Sequence, residues 1–239
     1  MFLKEKTITV TVDDYKSKEA IFSLEFEGQE GHTCLVEVLP EYEYGENPRD
    51  WSNLWTWVTT DKAGYSDIKY RGTKERSWRD RQWYKPEDFE DSDTGKLDKQ
   101  FLKENIVMPL YLYRHSGDVI SVGRFPAGSP CDCPWDSGCM GFAFVSKKEL
   151  KKEYCVKRIT KKVLENARER LEGEVKVMNM RNAGEVYGIT VVDMVTDQQD
   201  SCWGFYCDSR KEIAECARDM LCGFVKEGEE QLVAERLVA

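Results

Sequence analysis

The stretch Cys131-Asp132-Cys133-Pro134-Trp135-Asp136-Ser137-Gly138-Cys139-Met140-Gly141-Phe142 decides how the chain is read. Asp136-Ser137-Gly138 has the composition of a tight turn, because Asp and Ser side chains bond nearby backbone amides and Gly accepts positive φ. Phe142-Ala143-Phe144-Val145 then reads as a buried strand, and Ser146-Lys147-Lys148-Glu149 has the spacing of a capping box that opens a helix. The predicted order is loop, turn, strand, helix. A loop held at the entrance to a strand is where folds tend to carry function.

On the N-terminal side of this loop, Pro109-Leu110-Tyr111-Leu112-Tyr113 reads as a strand. Arg114 to Asp118 is a polar turn, and Val119-Ile120-Ser121-Val122 is the hairpin partner. On the C-terminal side a basic segment, residues 147–162 with eight bases and two acids, leads into a helix carrying Val163, Leu164, Ala167 and Leu171. Gly173 is expected to end that helix, with Val175 and Val177 alternating in a strand. Strands over 185–195 and 201–206 follow, then a capping box at Ser209-Arg210-Lys211-Glu212. The helix it opens has the apolar face Ile213, Cys216, Ala217, Met220, Leu221 and Phe224. Residues from Gly228 onward read as a loosely attached short helix.

Near the N-terminus, Thr7 to Val12 and Phe22 to Phe26 alternate with period two, and Thr33 to Leu39 supplies a third strand. An antiparallel meander is the simplest arrangement for them. Trp51, Leu54, Trp55 and Val58 either cap the sheet core or form an aromatic contact surface. Residues 69–85 carry seven bases and two acids with aromatics between them, a pattern that can track a phosphate backbone. The acids from Glu87 to Asp98 answer that charge. The fold class is therefore α+β, antiparallel sheets with helices on one face, in two sub-domains: 1–95, strand-rich and acidic, and 96–239, carrying the cysteine loop.

The net charge of −9 argues against non-specific coating of nucleic acid. Apolar runs fall short of a bilayer span, and Met1 to Lys6 lacks the apolar core of a signal peptide, so the expected compartment is the cytoplasm. Nine cysteines in a reducing compartment are thiols, metal ligands or small buried residues before they are disulfides. Cys131, Cys133 and Cys139 offer three thiolates for zinc, with a fourth ligand from Cys202, Cys207 or His115. Structural zinc usually uses paired Cys-x-x-Cys knuckles, and here the spacing is Cys-x-Cys without a matching second pair. Free thiols in a turn are the alternative. A cysteine or serine nucleophile commonly needs a base, and only His32 and His115 are available. No Walker A loop, dinucleotide fingerprint, metalloprotease helix or nucleophile elbow occurs.

The segments Pro109 to Tyr113 with His115-Ser116-Gly117, Cys133 to Gly138 with Gly141-Phe142, and Asp200-Ser201-Cys202-Trp203-Gly204-Phe205-Tyr206 resemble an uncharacterised family of proteins from bacteriophages and mobile elements. The resemblance covers roughly residues 108–208, and Cys131 and Cys139 lie outside its pattern. It implies an accessory protein that binds a host protein in the bacterial cytoplasm, such as an inhibitor of a restriction or other antiviral system. The recognition residues expected are Trp135, Asp136, Ser137, Gly138, Trp203 and His115. The alternative is a small enzyme or zinc-binding protein built from His115, the Cys131–Cys139 loop and Cys202–Cys207.

Overall fold

The structure, a computed structural model, describes residues 16–41, 47–59, 65–67, 90–91, 96–97 and 99–239. The expected strand over Thr7 to Val12, the basic aromatic stretch 69–85, and most of the acidic stretches around 42–46 and 87–98 lie outside the described residues. The fold is α+β: two four-stranded antiparallel sheets, a two-residue ribbon of β4 (Glu90–Asp91) with β5 (Lys96–Leu97), and five helices among the described residues.

The chain divides into two compact units, one formed by Met1–Gly45 with Gly184–Ala239 and the other by Glu46–Ala183. The boundary expected near residue 95 falls inside the second unit. The physical reason is strand pairing. β2 (Thr33–Pro40) lies between β1 (Phe22–Glu27) and β9 (Val186–Asp193), and β10 (Gln199–Tyr206) completes the sheet in the order β1-β2-β9-β10. Val36 faces Val191 and Val38 faces Ile189 across the β2–β9 pair, so the early strands are completed by the last third of the chain. On one face of this sheet Phe26, Val36, Val38 and Val191 pack against α4 (Arg210–Met220) and α5 (Glu230–Leu237) through Ile213, Ala217, Leu221 and Val233. The Ser209 hydroxyl accepts the Glu212 amide at 3.3 Å, as the capping box predicts. The C-terminal helix is not loosely attached: Val233, Ala234 and Leu237 are buried in this core.

In the second unit, β3 (Thr56–Thr59), β8 (Ser137–Ser146), β6 (Asn105–Arg114) and β7 (Asp118–Val122) pair in that order. The helices are α1 (Lys99–Glu104), α2 (Lys147–Glu153) and α3 (Lys161–Ala183). Trp55, Trp57, Leu110, Ile120 and Val145 form one core with Leu150 of α2 and Ala167, Leu171, Val175 and Met178 of α3. Trp55 and Trp57 thus belong to the core, whereas Trp51 is exposed. Gly173 does not end α3, which runs unbroken to Ala183. A mid-helix glycine costs only about 1 kcal/mol relative to alanine, and Leu171, Val175 and Met178 extend the buried stripe beyond it. On the other face of the sheet, Phe101 of α1 packs edge-on against Phe142 and Phe144 at 6.1 and 5.1 Å.

The edge of this sheet is closed by a side chain. Asn179 of α3 accepts the Ile120 amide at 2.8 Å and donates to the Ile120 carbonyl at 2.9 Å, so its amide stands in for a neighbouring strand on β7. Asn182 donates to the Asp118 carbonyl at 3.1 Å.

Candidate functional site

The register of β6 on β8 sets the site in the second unit. Leu112 faces Gly138 and Tyr113 faces Ser137, so the loop entering β8 is carried onto the β6–β7 hairpin. That register depends on a bulge. Leu110 faces Gly141 but Tyr111 faces Cys139, which leaves Met140 as the extra residue. The hairpin turn, His115 to Gly117, is clamped at its base: Arg114 reaches both oxygens of Asp118 at 2.7 and 2.6 Å, and the Tyr65 hydroxyl donates to the same carboxylate at 2.9 Å. The Arg114 fork holds the Asp118 carboxyl below its usual range, against the opposing effect of burial, with Tyr65 adding to it.

The turn before β8 is Pro134-Trp135-Asp136, not Asp136-Ser137-Gly138: Ser137 and Gly138 already belong to the strand. The Ser137 amide donates to the Cys133 carbonyl at 2.9 Å, and its hydroxyl donates to the same oxygen at 2.5 Å. The Cys133 thiol reaches Asp136 at 3.4 Å, and the Arg114 amide donates to the Asp136 carbonyl at 2.8 Å. Further back, the Gly128 amide donates to the Asp132 carboxylate at 3.2 Å. The loop is therefore held from within and from β6. At its tip the Trp135 side chain is 93% exposed, the most exposed of the large apolar residues described.

His115 and the loop share one end of the sheet. Its imidazole stacks on the Tyr113 ring at 6.5 Å and 11°, and Phe125 meets the same ring edge-on at 6.5 Å. Desolvation raises the Tyr113 phenol pKa, with a further push from Asp136. Arg124 donates to the Tyr111 hydroxyl at 3.3 Å. Tyr111, Tyr113, Arg124 and Phe125 were not among the recognition residues expected from the sequence. The one signal was the two-residue spacing of the tyrosines, which puts both on the same side of a strand. Trp203 belongs to the other unit and is described with it below.

The cysteines are divided as well. Cys131, Cys133 and Cys139 lie in the second unit, Cys202 and Cys207 in the first. Cys139 donates toward the Gly141 carbonyl at 3.5 Å, and among the described residues no group of three His, Cys, Asp or Glu side chains is gathered as a metal ion would require. The other histidine, His32, pairs through Nδ1 with Asp193 at 2.9 Å. Burial pushes the Asp193 carboxyl up, but His32 and the amides of Val195 and Thr196 outweigh it and hold its pKa at about 2.

The Cys207 and Cys216 sulfurs stand 3.8 Å apart, Cys207 just before α4 and Cys216 within it. Burial, together with its neighbour Cys216 and nearby acids, pushes Cys207 up to about 12. Its thiolate is therefore scarce at neutral pH, so Cys207 is suited to a core position rather than to nucleophilic attack. In timed iodoacetamide labelling of the native chain at pH 7.5, read by peptide mass, the exposed Cys139, Cys155, Cys202 and Cys222 should react first. Cys207 should lag by about a hundred-fold or more. Labelling at the exposed rate would assign it a reactive role instead.

No helix among the described residues is long and apolar enough to cross a membrane. Comparison with known proteins finds no matching family, no matching curated protein and no matching solved structure.

Proposed function

We propose that the chain is a binding protein that docks on a partner protein through the Trp135 loop, and that it serves as a phage or mobile-element accessory factor directed at a host defence component. The observation that carries the binding reading is the exposed Trp135 indole on a loop held by hydrogen bonds at Cys133, Asp136 and Ser137. An indole displayed on a preorganised turn loses little entropy on docking and supplies the aromatic anchor typical of interface hot spots. Asp136, Ser137 and Gly138 hold the loop against β6, while His115, Tyr113 and Phe125 supply an aromatic surround. The directed role rests on the sequence resemblance alone.

The test uses the purified full chain and its Trp135→Ala variant. Because the indole supports nothing beneath it, the variant should keep the parent's circular dichroism and melting midpoint. It should lose about 2 kcal/mol or more of partner affinity, roughly thirty-fold, when both are compared against a protein captured from bacterial lysate. In a restriction-proficient host, expression of the parent should raise the plating efficiency of unmodified phage and expression of the variant should not. Undiminished binding by the variant would remove the loop from the interface.

A further inference from the structure

The first unit has a second site, on the sheet face turned away from α4 and α5. Alternation places Leu35, Glu37 and Leu39 of β2 there, because Cys34, Val36 and Val38 enter the helix-covered core. Pairing adds Thr190 and Val192 of β9, opposite Glu37 and Leu35, and Gln199 and Ser201 of β10, opposite Val192 and Thr190. Together with Ser17 and Trp203 these side chains line a cavity of about 540 Å³.

Two features make this a built site. The first is Glu37, an acid set in the apolar run Leu35-Val36-Glu37-Val38-Leu39 and only 4% exposed. Its two oxygens share one backbone donor, the Ser17 amide, at 3.1 and 3.2 Å. A carboxylate has about four acceptor positions, so this one is under-supplied and faces a cavity. The second is the placement of Trp203. The register of β10 on β9 breaks between Cys202 and Phe205, where Gly204 has φ +86°, and this bulge turns the indole across β9. The ring lies against Gly188, where a Cβ would stand 2.1 Å from it. Gly188 thus keeps the indole flat against the sheet as one wall of the cavity.

A buried carboxylate beside an indole face, with hydroxyls of Thr190 and Ser201 and the Gln199 amide around them, is the chemistry that recognises an organic cation. The carboxylate supplies charge-assisted hydrogen bonds and the ring supplies cation–π attraction. A net charge of −9 draws cations to the chain over longer range. We infer that this cavity binds a guanidinium or alkylammonium group, with Glu37 as its counter-ion and Trp203 as one wall. This site is independent of the Trp135 loop and stands or falls without it.

The test is isothermal titration calorimetry of the full chain with butylguanidinium, butylammonium and the neutral isostere butylurea. A butyl cation should bind, and butylurea should bind about tenfold more weakly or not measurably, since the charge-assisted bonds to a carboxylate are lost. Glu37→Gln keeps the acceptor for Ser17 and should weaken cation binding about tenfold, while Trp203→Leu should weaken it roughly threefold or more. Should Glu37→Gln fail to fold, the urea comparison on the parent chain and Trp203→Leu, a change at a half-exposed position, still decide the matter. An acetyl-Gly-Arg-Gly-amide probe separates the sources. Affinity tenfold above that of butylguanidinium marks a basic side chain of a partner peptide, and equal affinity marks a free small cation. Absence of cation binding up to about 10 mM, or equal binding of butylurea, would overturn the inference.

Discussion

Replacing Arg49 with methionine is expected to destabilise the unit formed by residues 46–183 by about 3–5 kcal/mol, the cost of stripping a buried charge cluster of one member. Arg49 is the middle residue of a short 3-10 turn, Pro48–Asp50, whose N-cap Asn47 accepts the Arg49 amide at 3.1 Å. The guanidinium spends its donors on three partners. It bonds both oxygens of Asp67 at 2.9 and 2.5 Å, Glu174 of α3 at 2.8 Å, and the Trp55 carbonyl at 2.7 Å. Its Cζ lies 4.1 Å from the Trp57 ring centroid. The carboxylates are used again: Glu174 accepts the amides of Leu54 and Trp55 at 3.1 and 3.3 Å, and Asp67 accepts the Trp57 amide at 2.7 Å.

One cation thus ties the segment before β3 to α3. Burial would lower the Arg49 pKa, but Asp67 and Glu174 more than compensate and keep it charged. Methionine would preserve the stem and leave two carboxylates and a carbonyl facing an apolar thioether. Lysine would not rescue it, because one ammonium cannot reproduce a planar fork that reaches three acceptors. The control is Arg218→Met at the exposed pair with Asp219, where the loss should be below about 1 kcal/mol. Urea unfolding followed by tryptophan fluorescence measures both. An Arg49→Met midpoint as close to the parent's as that of the control would mean that water, not Arg49, satisfies the carboxylates.

This network also shows where reading from sequence stops. Period-two alternation was sufficient for β1, apolar runs bounded by turn residues located β2, β6 and β7, and Ser-x-x-Glu spacing located the starts of α2 and α4, because each is a local signal. Arg49, Asp67 and Glu174 are scattered over 126 positions, and nothing in their local surroundings marks them as partners. The same holds for the domain boundary, since β2 pairs with a strand some 150 residues later. Gly173 misled for the opposite reason, a local breaker overruled by the packing of Leu171, Val175 and Met178. At the candidate site, the loop could be read from its composition. That His115 stands at the same end of the sheet, and that Trp135 points outward, follow from the β6–β8 register and have no sequence signature. Glu37 did carry one, a lone acid in an apolar strand.

Gly141→Ala should be comparably costly, about 3–5 kcal/mol, by a different mechanism that joins the fold to the loop. Gly141 has φ +146°, a conformation that suits glycine, and it is paired with Thr59 of the neighbouring strand β3. A Cβ there would lie 2.0 Å from the Val58 carbonyl oxygen and 2.9 Å from the Thr59 Cα. Both are backbone atoms of a paired strand, so no side chain can swing aside. Relief requires β3 to part from β8, which would expose Trp57 and Val58, both fully buried. It could also come from removing the bulge, which would shift the N-terminal end of β8 by one residue and take Ser137 away from Tyr113. Gly138→Ala is the matched control, three residues earlier in the same strand, where a Cβ meets nothing within 4 Å and φ is not positive. That variant should unfold within about 0.5 kcal/mol of the parent. For Gly141→Ala, a lowered melting midpoint with red-shifted tryptophan emission would indicate loss of β3. A preserved midpoint with weakened partner binding would indicate a register shift that carries Trp135 out of place. An unchanged midpoint with unchanged binding would show that the close approach of β3 to Gly141 is not required for either.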